Sequence, residues 1–244
     1  TLLPQEQALL AHRRGINQLG IAVLLKYFQW EGRSPTAAQA IPQAVVQHLA
    51  ETLGVPADRF TRYDLEGRMA RYHKEEIRQW TGWRPDTVHD AETLQAWVAA
   101  HTRVEEATLP HVLAHLTARY KHLKIEVPTT QRLERLAHAV TRTVEDQFFT
   151  TLAHALSPEM CQQLDTLLTE APSSLSLTAL KTATGRRSLP SLEVAVAQLH
   201  QLQSLVLPQE LLAPLSPRYL RRLKLRVAAE SLYELRRHPA HIRY

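Results

Sequence analysis

The chain has 244 residues, with 29 lysines and arginines against 24 aspartates and glutamates, and a single cysteine, Cys161. One cysteine excludes a disulfide framework and a cysteine-based zinc site. No apolar run is long enough to cross a bilayer and no signal peptide is visible, which indicates a cytoplasmic protein without a membrane partner. The mild excess of positive charge is compatible with a nucleic-acid partner, but many ordinary proteins are equally basic.

Segments rich in Ala, Leu, Gln, Glu and Arg predict an all-α fold, a multi-helical array with helix-turn-helix-like modules. We find no strand alternation and no two-residue hairpin signal. Six of the seven glycines lie within the first 82 residues, so the composition changes there. We therefore predict a first module at 1–86, a second at 87–172, and at 173–244 a helical connector that begins a dimerisation or linker region.

An apolar helix follows two adjacent arginines, Arg13 and Arg14. A helix N-terminus already carries positive partial charge, so this placement raises the question of which anion the arginines contact. Asn17 is the expected N-cap. Apolar residues recur at helical spacing on one face that we expect in the core, namely Leu19, Val23, Tyr27 and Trp30.

Residues 45–63, VVQHLAETLGVPADRFTRY, have the spacing of a helix-turn-helix. Ala50 fits the helix crossing, Gly54 the left-handed turn and Phe60 the apolar position that packs the second helix. Arginine on such a helix can bridge guanine or bind phosphate. An ordinary corner between two helices has the same spacing and remains an alternative. The second helix would expose Asp58, Arg59, Thr61 and Arg62.

Two later segments are basic. In residues 62–84, arginines and lysine alternate with aromatic side chains, a pattern that suits phosphate and sugar contacts. The alternative is a solvated helix face with its aromatics in the core. Residues 216–244 contain eight lysines and arginines against two glutamates. That segment either follows a phosphate backbone or is a solvated connector.

The sequence contains no recognisable active site. His111 and His115 have the i, i+4 spacing of a zinc pair, but no third ligand is evident. Cys161 is more typical of a core residue than of a nucleophile. A P-loop, a GxGxxG and a GxSxG motif are all lacking. We therefore expect neither catalysis nor a metal or cofactor in these residues.

The segment RRGINQLGIAVLLKYFQWEGR resembles the opening signature of transposases of the Tn-three family of replicative transposons. That signature is an arginine pair, an asparagine, Leu-Gly, a hydrophobic helix and a closing Gly-Arg. Residues 41–55, 63–82 and 125–136 are similar to later segments of the family, and the resemblance thins after about residue 145. Ile16 and Gln18 depart from the pattern. The matching residues are Arg13, Arg14, Asn17, Leu19, Gly20, Gly32 and Arg33.

The resemblance implies that this chain is the DNA-end recognition part of a longer transposase. In that family, N-terminal helical domains bind the terminal inverted repeats of the transposon. The magnesium-dependent DDE catalytic triad lies in an RNase H-like domain far toward the C-terminus, which these residues do not include. The implied partner is double-stranded DNA in the bacterial cytoplasm, at the nucleoid when bound. A homodimer would form through regions outside these residues.

These considerations predict which residues contact DNA. We expect Arg59 and Arg62 to lie at or near base edges, and Thr61 and Arg68 to contact DNA as well. The alternatives are an all-α protein-interaction scaffold with solvated basic faces and a binder of structured RNA. The residues expected at the phosphate backbone are Arg13, Arg14, Asn17, Arg33, Arg71, Arg78, Arg132 and Arg135.

Overall fold

The computed structural model describes residues 2–168, 176–181, 188–205, 211–213 and 215–243. This part of the chain is helical, as predicted, and its only β pairing is an isolated parallel bridge between Arg84 and Ile125. None of its helices is long and apolar enough to cross a membrane. The predicted module boundary at residues 172 and 173 lies outside the described residues.

The described part of the chain contains both 3₁₀ helices and α-helices. Two 3₁₀ helices, Ala38–Ala40 and Ala57–Arg62, lie on either side of the third α-helix. The α-helices are α1 (Pro4–Leu10), α2 (Ile16–Glu31), α3 (Gln43–Leu53), α4 (Arg68–Thr81), α5 (Val88–Ala100), α6 (Leu109–His122), α7 (Thr130–His154), α8 (Pro158–Leu167), α9 (Leu177–Lys181), α10 (Leu189–Ser204), α11 (Pro217–Ala229), α12 (Leu232–Arg237) and α13 (Ala240–Arg243).

The chain forms two compact units. The first comprises Thr1–His101 and Leu109–Val140, and the second Thr102–Thr108 and Thr141–Tyr244. The first unit includes residues on both sides of the predicted boundary at residue 86. The division into three modules stays a prediction.

Helix α2 is the centre of the first unit. Its residues from Leu19 to Leu25 are buried on every side, because α1, α3, α4 and the 3₁₀ helix 57–62 all contact it. The helix begins after Gly15 rather than at Asn17, because Gly15 adopts a positive φ of 59° that ends the preceding turn. Trp30, expected in the core, is 60% exposed. Trp30 lies in the last helical turn, after the buried Tyr27 of the same face.

Gly20 allows a close approach between α2 and the chain that follows the 3₁₀ helix 57–62. A Cβ atom at Gly20 would lie 2.2 Å from a ring carbon of Tyr63. The ring of Tyr63 occupies the space that a larger residue at Gly20 would need. The sequence identifies Gly20 only as one position of the family signature, whereas the structure shows that it lies against the Tyr63 ring.

The turn of the predicted helix-turn-helix is confirmed, but its second helix is not. Ala50 and Phe60 are buried, and Gly54 has a left-handed φ of 64°, as the spacing predicts. The second helix is a six-residue 3₁₀ helix, not an α-helix. The Asp64 carboxylate accepts a hydrogen bond from the amide of Glu66, 3.0 Å away. This local turn competes with continuation of the helix, and α4 begins only at Arg68.

The rest of the first unit is formed by α5, α6 and the first part of α7. Leu133 and Val140 of α7 are buried. At the Arg84–Ile125 bridge, the amide of Arg84 donates to the carbonyl oxygen of Lys124 (3.0 Å), and the amide of Glu126 donates to that of Arg84 (2.8 Å). These two hydrogen bonds connect the segment before α5 to the segment before α7.

The second unit includes the rest of α7 and the helices from α8 to α13. Tyr219 of α11 is buried and its ring meets that of Phe148 edge to face, with centroids 6.3 Å apart. The side chains of Ser157, Ser188, Ser216 and Ser231 cap the N-termini of α8, α10, α11 and α12.

Candidate nucleic-acid interface

The start of α2 is open to a ligand. Its N-cap residue is Gly15, so no side chain caps the amide groups of the first turn. Arg14, one residue earlier, is exposed and has no hydrogen-bond partner among the described residues. Asn17 is half-buried in the first turn. The uncapped amides and the adjacent guanidinium together favour an anion at this position.

Arg59 reaches the same place from the 3₁₀ helix 57–62. Its Nη1 atom lies 3.5 Å from the position that a Cβ atom would occupy at Gly15. Side chains at i and i+3 of a 3₁₀ helix align, so Arg59 and Arg62 lie on one side of it. Both are exposed, and neither forms an ion pair with a described residue. We call Arg14, Arg59 and Arg62 the arginine face.

Buried neighbours hold the arginine face in position. Val55 and Phe60 are buried and anchor the 3₁₀ helix, and the Phe60 ring stacks on that of Tyr63 with centroids 5.8 Å apart. The hydroxyl of Thr61 donates a 2.6 Å hydrogen bond to the carbonyl oxygen of Asp58. Thr61 is thus bonded within its own turn.

Arg13 has a partner inside the protein. Its guanidinium forms an ion pair with Glu76 of α4 and donates a hydrogen bond to the carbonyl oxygen of Leu9. Only 15% of its side chain is exposed. We therefore assign Arg13 a structural role in place of the predicted phosphate contact. The anion that compensates its charge near the start of α2 is a carboxylate.

A buried pair lies beside this ion pair. The hydroxyl of Tyr63 and Nδ1 of His73 are 2.7 Å apart, and both side chains are buried. Nε2 of His73 has no hydrogen-bond partner among the described residues. Burial lowers the pKa of His73, the positive charge of Arg13 lowers it further, and Glu76 opposes the shift. Burial also raises the pKa of the Tyr63 hydroxyl.

Four predicted phosphate contacts line a single cleft of about 940 Å³ in the first unit, which we call the polar cleft. The other charged residues of the cleft could not be selected from the sequence, because they come together only in the folded chain. The cleft has five positive side chains and three carboxylates. These are Arg33, Arg71, Lys74, Arg78 and Arg132, with Glu66, Asp86 and Glu126.

Three of these arginines are neutralised inside the protein. Arg78 forms ion pairs with Glu75 and Glu126. Arg132 lies 2.8 Å from the Asp86 carboxylate. The arginine at position 33 pairs with a glutamate two residues earlier and donates to a backbone carbonyl. These pairings lower the capacity of the three side chains to bind an external anion.

The other two cations of the polar cleft have no carboxylate partner among the described residues. Arg71 donates through Nε to the carbonyl oxygen of Glu66 (3.1 Å), and Lys74 donates to that of Leu65 (3.1 Å). Burial lowers the pKa of Lys74, although nearby glutamates raise it. Burial also raises the pKa of Asp86, against the effect of Arg132. Arg71 and Lys74 are therefore the cations that remain available in this cleft.

The last two predicted contacts, Arg68 and Arg135, are exposed at the start of α4 and on α7. Neither forms an ion pair with a described residue. The rings of His111 and His115 are 4.2 Å apart. In the described part of the chain, no group of three histidine, cysteine or carboxylate side chains is arranged to hold a metal ion.

A known protein family matches this chain. The model of the family described as Domain of unknown function (DUF4158) matches residues 1–140. The matched range covers α1 to α6 and the first part of α7, and with them the arginine face and the polar cleft. It extends over more than half of the chain, and the chain therefore belongs to the DUF4158 family.

Proposed function

We propose that this protein binds double-stranded DNA in a sequence-specific manner through the arginine face. The observation that carries the proposal is the convergence of Arg59 on the uncapped start of α2, beside the exposed Arg14. Exposed guanidinium groups and helix N-terminal amides are the groups that commonly fix a protein on DNA phosphates. Arg62, aligned with Arg59, is placed to reach the adjacent groove or phosphate.

The resemblance of residues 12–33 to the Tn-three family supports a narrower version of this proposal. The DNA is then the terminal inverted repeat of a replicative transposon, and this chain is the recognition part of its transposase. In this version the chain binds DNA without a cofactor. Catalysis and its magnesium belong to another domain of the parent protein, homodimer contacts lie outside this chain, and binding takes place in the bacterial cytoplasm.

A titration with three nucleic acids tests the proposal. Fluorescence anisotropy compares the inverted-repeat duplex that flanks the gene, a scrambled duplex of equal length and a hairpin RNA, at two salt concentrations. We expect tighter binding to the repeat and a steep loss of affinity as salt rises, because bound phosphates release counterions. Equal binding of the repeat and the scrambled duplex would contradict the proposal, and preference for the hairpin would favour an RNA-binding function.

A double substitution then tests the surface itself. Arg59→Ala with Arg62→Ala should weaken binding by roughly 1–3 kcal/mol for each arginine that reads a base, or lower the salt slope by about one for each arginine that binds a phosphate. Arg103→Ala with Arg142→Ala is the matched control, because it removes two other exposed arginines without ion-pair partners among the described residues. The proposal fails if both double variants bind equally weakly. Thermal unfolding of both variants verifies that they remain folded.

A further inference from the structure

A second, apolar pocket lies in the first unit at the C-terminal end of α2. It has a volume of about 410 Å³, within the range of small-molecule sites. Trp30 is 60% exposed at this pocket, and its ring meets that of Tyr27 edge to face with centroids 6.0 Å apart. We call it the Trp30 pocket. The rest of its apolar lining includes Ile41, Pro42, Val45 and Leu49.

The Trp30 pocket adjoins the polar cleft. Tyr27 lines both, so one aromatic side chain separates an apolar cavity from a positively charged one. In the polar cleft, Arg71 and Lys74 donate hydrogen bonds only to backbone carbonyl oxygens of the described residues. A ligand that fits both cavities has a flat apolar part joined to an anionic part.

We propose that the Trp30 pocket and the polar cleft together bind one unpaired nucleotide of a DNA strand. The base lies against Trp30 and Tyr27, and its phosphate lies against Arg71 and Lys74. This inference rests on the proposed DNA-binding function and adds to it a preference for DNA with an unpaired base. A paired base presents only its edges in the grooves, so the nucleotide lies at a single-stranded end of the DNA.

The chemistry of the two cavities favours a nucleotide over an apolar peptide. A leucine or phenylalanine side chain would fill the Trp30 pocket but would bring no anionic group to Arg71 and Lys74 in the cleft. Stacking of a base on an aromatic side chain, combined with a phosphate held by cations, is how proteins bind single strands with little sequence preference. An unpaired nucleotide supplies both the stacking ring and the charge.

The test uses the whole chain and two forms of the same repeat duplex, one blunt and one with a short single-stranded overhang that contains 2-aminopurine. We expect the overhang duplex to bind more tightly and the fluorescence of 2-aminopurine to be quenched by stacking. Trp30→Ala should lower affinity for the overhang duplex roughly 5- to 150-fold, the range expected when one base no longer stacks on an aromatic ring, and remove the quenching. Affinity for the blunt duplex should not change.

Two further variants make the result specific. Trp30→Phe keeps an aromatic ring and should retain most of the preference for the overhang. Tyr233→Ala removes another exposed aromatic side chain and should leave the preference intact. Arg71→Gln with Lys74→Gln should weaken binding of the overhang duplex more than that of the blunt duplex.

The outcomes separate this inference from the proposed function. If the wild-type protein binds both duplexes equally, or if Trp30→Ala keeps the preference, the nucleotide site is wrong while duplex binding stands. If the protein binds neither duplex more tightly than a scrambled one, the proposed function is wrong as well.

Discussion

Arg13 forms an ion pair with Glu76, and the pair joins the loop before α2 to the outer part of α4. The exposed fractions of the two side chains are 15% and 25%, so water screens the pair only in part. Arg13 thus belongs to the interior of the first unit. Its neighbour Arg14 is exposed and belongs to the arginine face.

Because of this ion pair, we expect substitutions of Arg13 and Arg14 to have different effects on the free energy of unfolding. Arg13→Gln or Glu76→Gln should lower the free energy of unfolding by about 1–3 kcal/mol, because each leaves a partly buried charged group without its partner. Combined, the two changes should cost less than the sum of the single effects. Arg14→Gln, the control, should stay within about 0.5 kcal/mol. Urea unfolding measures all four variants, and equal effects of Arg13→Gln and Arg14→Gln would contradict the assignment.

We expect the protein to lose stability in mild acid because of His73. Its pKa in the folded protein is lowered, chiefly by burial, so the folded state binds fewer protons than the unfolded state. Stability from this group is complete above the unfolded pKa of about 6.5 and falls as the pH drops below that value. His73→Gln should therefore flatten the decline in unfolding free energy between about pH 7.5 and about pH 5.5. His48→Gln, at an exposed site, should keep the decline.

We expect a second loss of stability at lower pH, where Glu6 becomes protonated. Its buried carboxylate accepts hydrogen bonds from Lys26 (2.7 Å), Gln29 (2.7 Å) and the amide of Leu3 (2.7 Å). Burial alone would raise the pKa of Glu6, but these contacts outweigh it and lower the pKa below 4.5. The stabilisation is present above about pH 4.5 and disappears as the pH falls through the lowered pKa.

Substitution tests the same carboxylate at neutral pH. Glu6→Gln should destabilise the protein by somewhat less than the roughly 3–5 kcal/mol of a fully buried pair, because Lys26 keeps access to water. Glu51→Gln, at an exposed position of α3, is the control and should have little effect. Thermal unfolding compares the two variants, and similar melting temperatures would argue against a stabilising role for Glu6.

A larger side chain at Gly20 should destabilise the protein for steric reasons. Gly20→Ala places a methyl group 2.2 Å from the buried ring of Tyr63, so the ring or the helix has to shift. We expect the free energy of unfolding to fall by about 1–3 kcal/mol, typical of an overfilled core. Tyr63→Leu combined with Gly20→Ala should cost less than the two separate effects together. Strict additivity in denaturant unfolding would show that the two residues do not compete for the same space.

Features that depend on local periodicity were predictable. Leu19 and Val23 of α2 are buried, as their helical spacing predicts, and the turn at Gly54 follows from residue spacing. The second helix of the predicted helix-turn-helix is a six-residue 3₁₀ helix, and a hydrogen bond from the Glu66 amide to the Asp64 side chain forms a local turn after its end. The periodicity of apolar residues in a sequence does not predict a single side-chain hydrogen bond of this kind.

The candidate site was only partly predictable for a different reason. The sequence identifies Arg13 and Arg14 as an adjacent pair, but only the fold shows that Glu76 pairs with one of them. The approach of Arg59 to Gly15 likewise depends on how the 3₁₀ helix meets α2. Such distances are set by tertiary contacts between distant segments, which composition and spacing do not specify.

The bridge between Arg84 and Ile125 determines where the protein can be shortened. Val127 also donates a 2.8 Å hydrogen bond to the carbonyl oxygen of Gly32, at the end of α2. A truncation after residue 86 would strip these partners from Gly32 and Arg84 and uncover the apolar surface beneath them. Anyone isolating the first unit should therefore retain the chain through at least the first turns of α7, and should expect shorter pieces to aggregate or to be degraded by proteases.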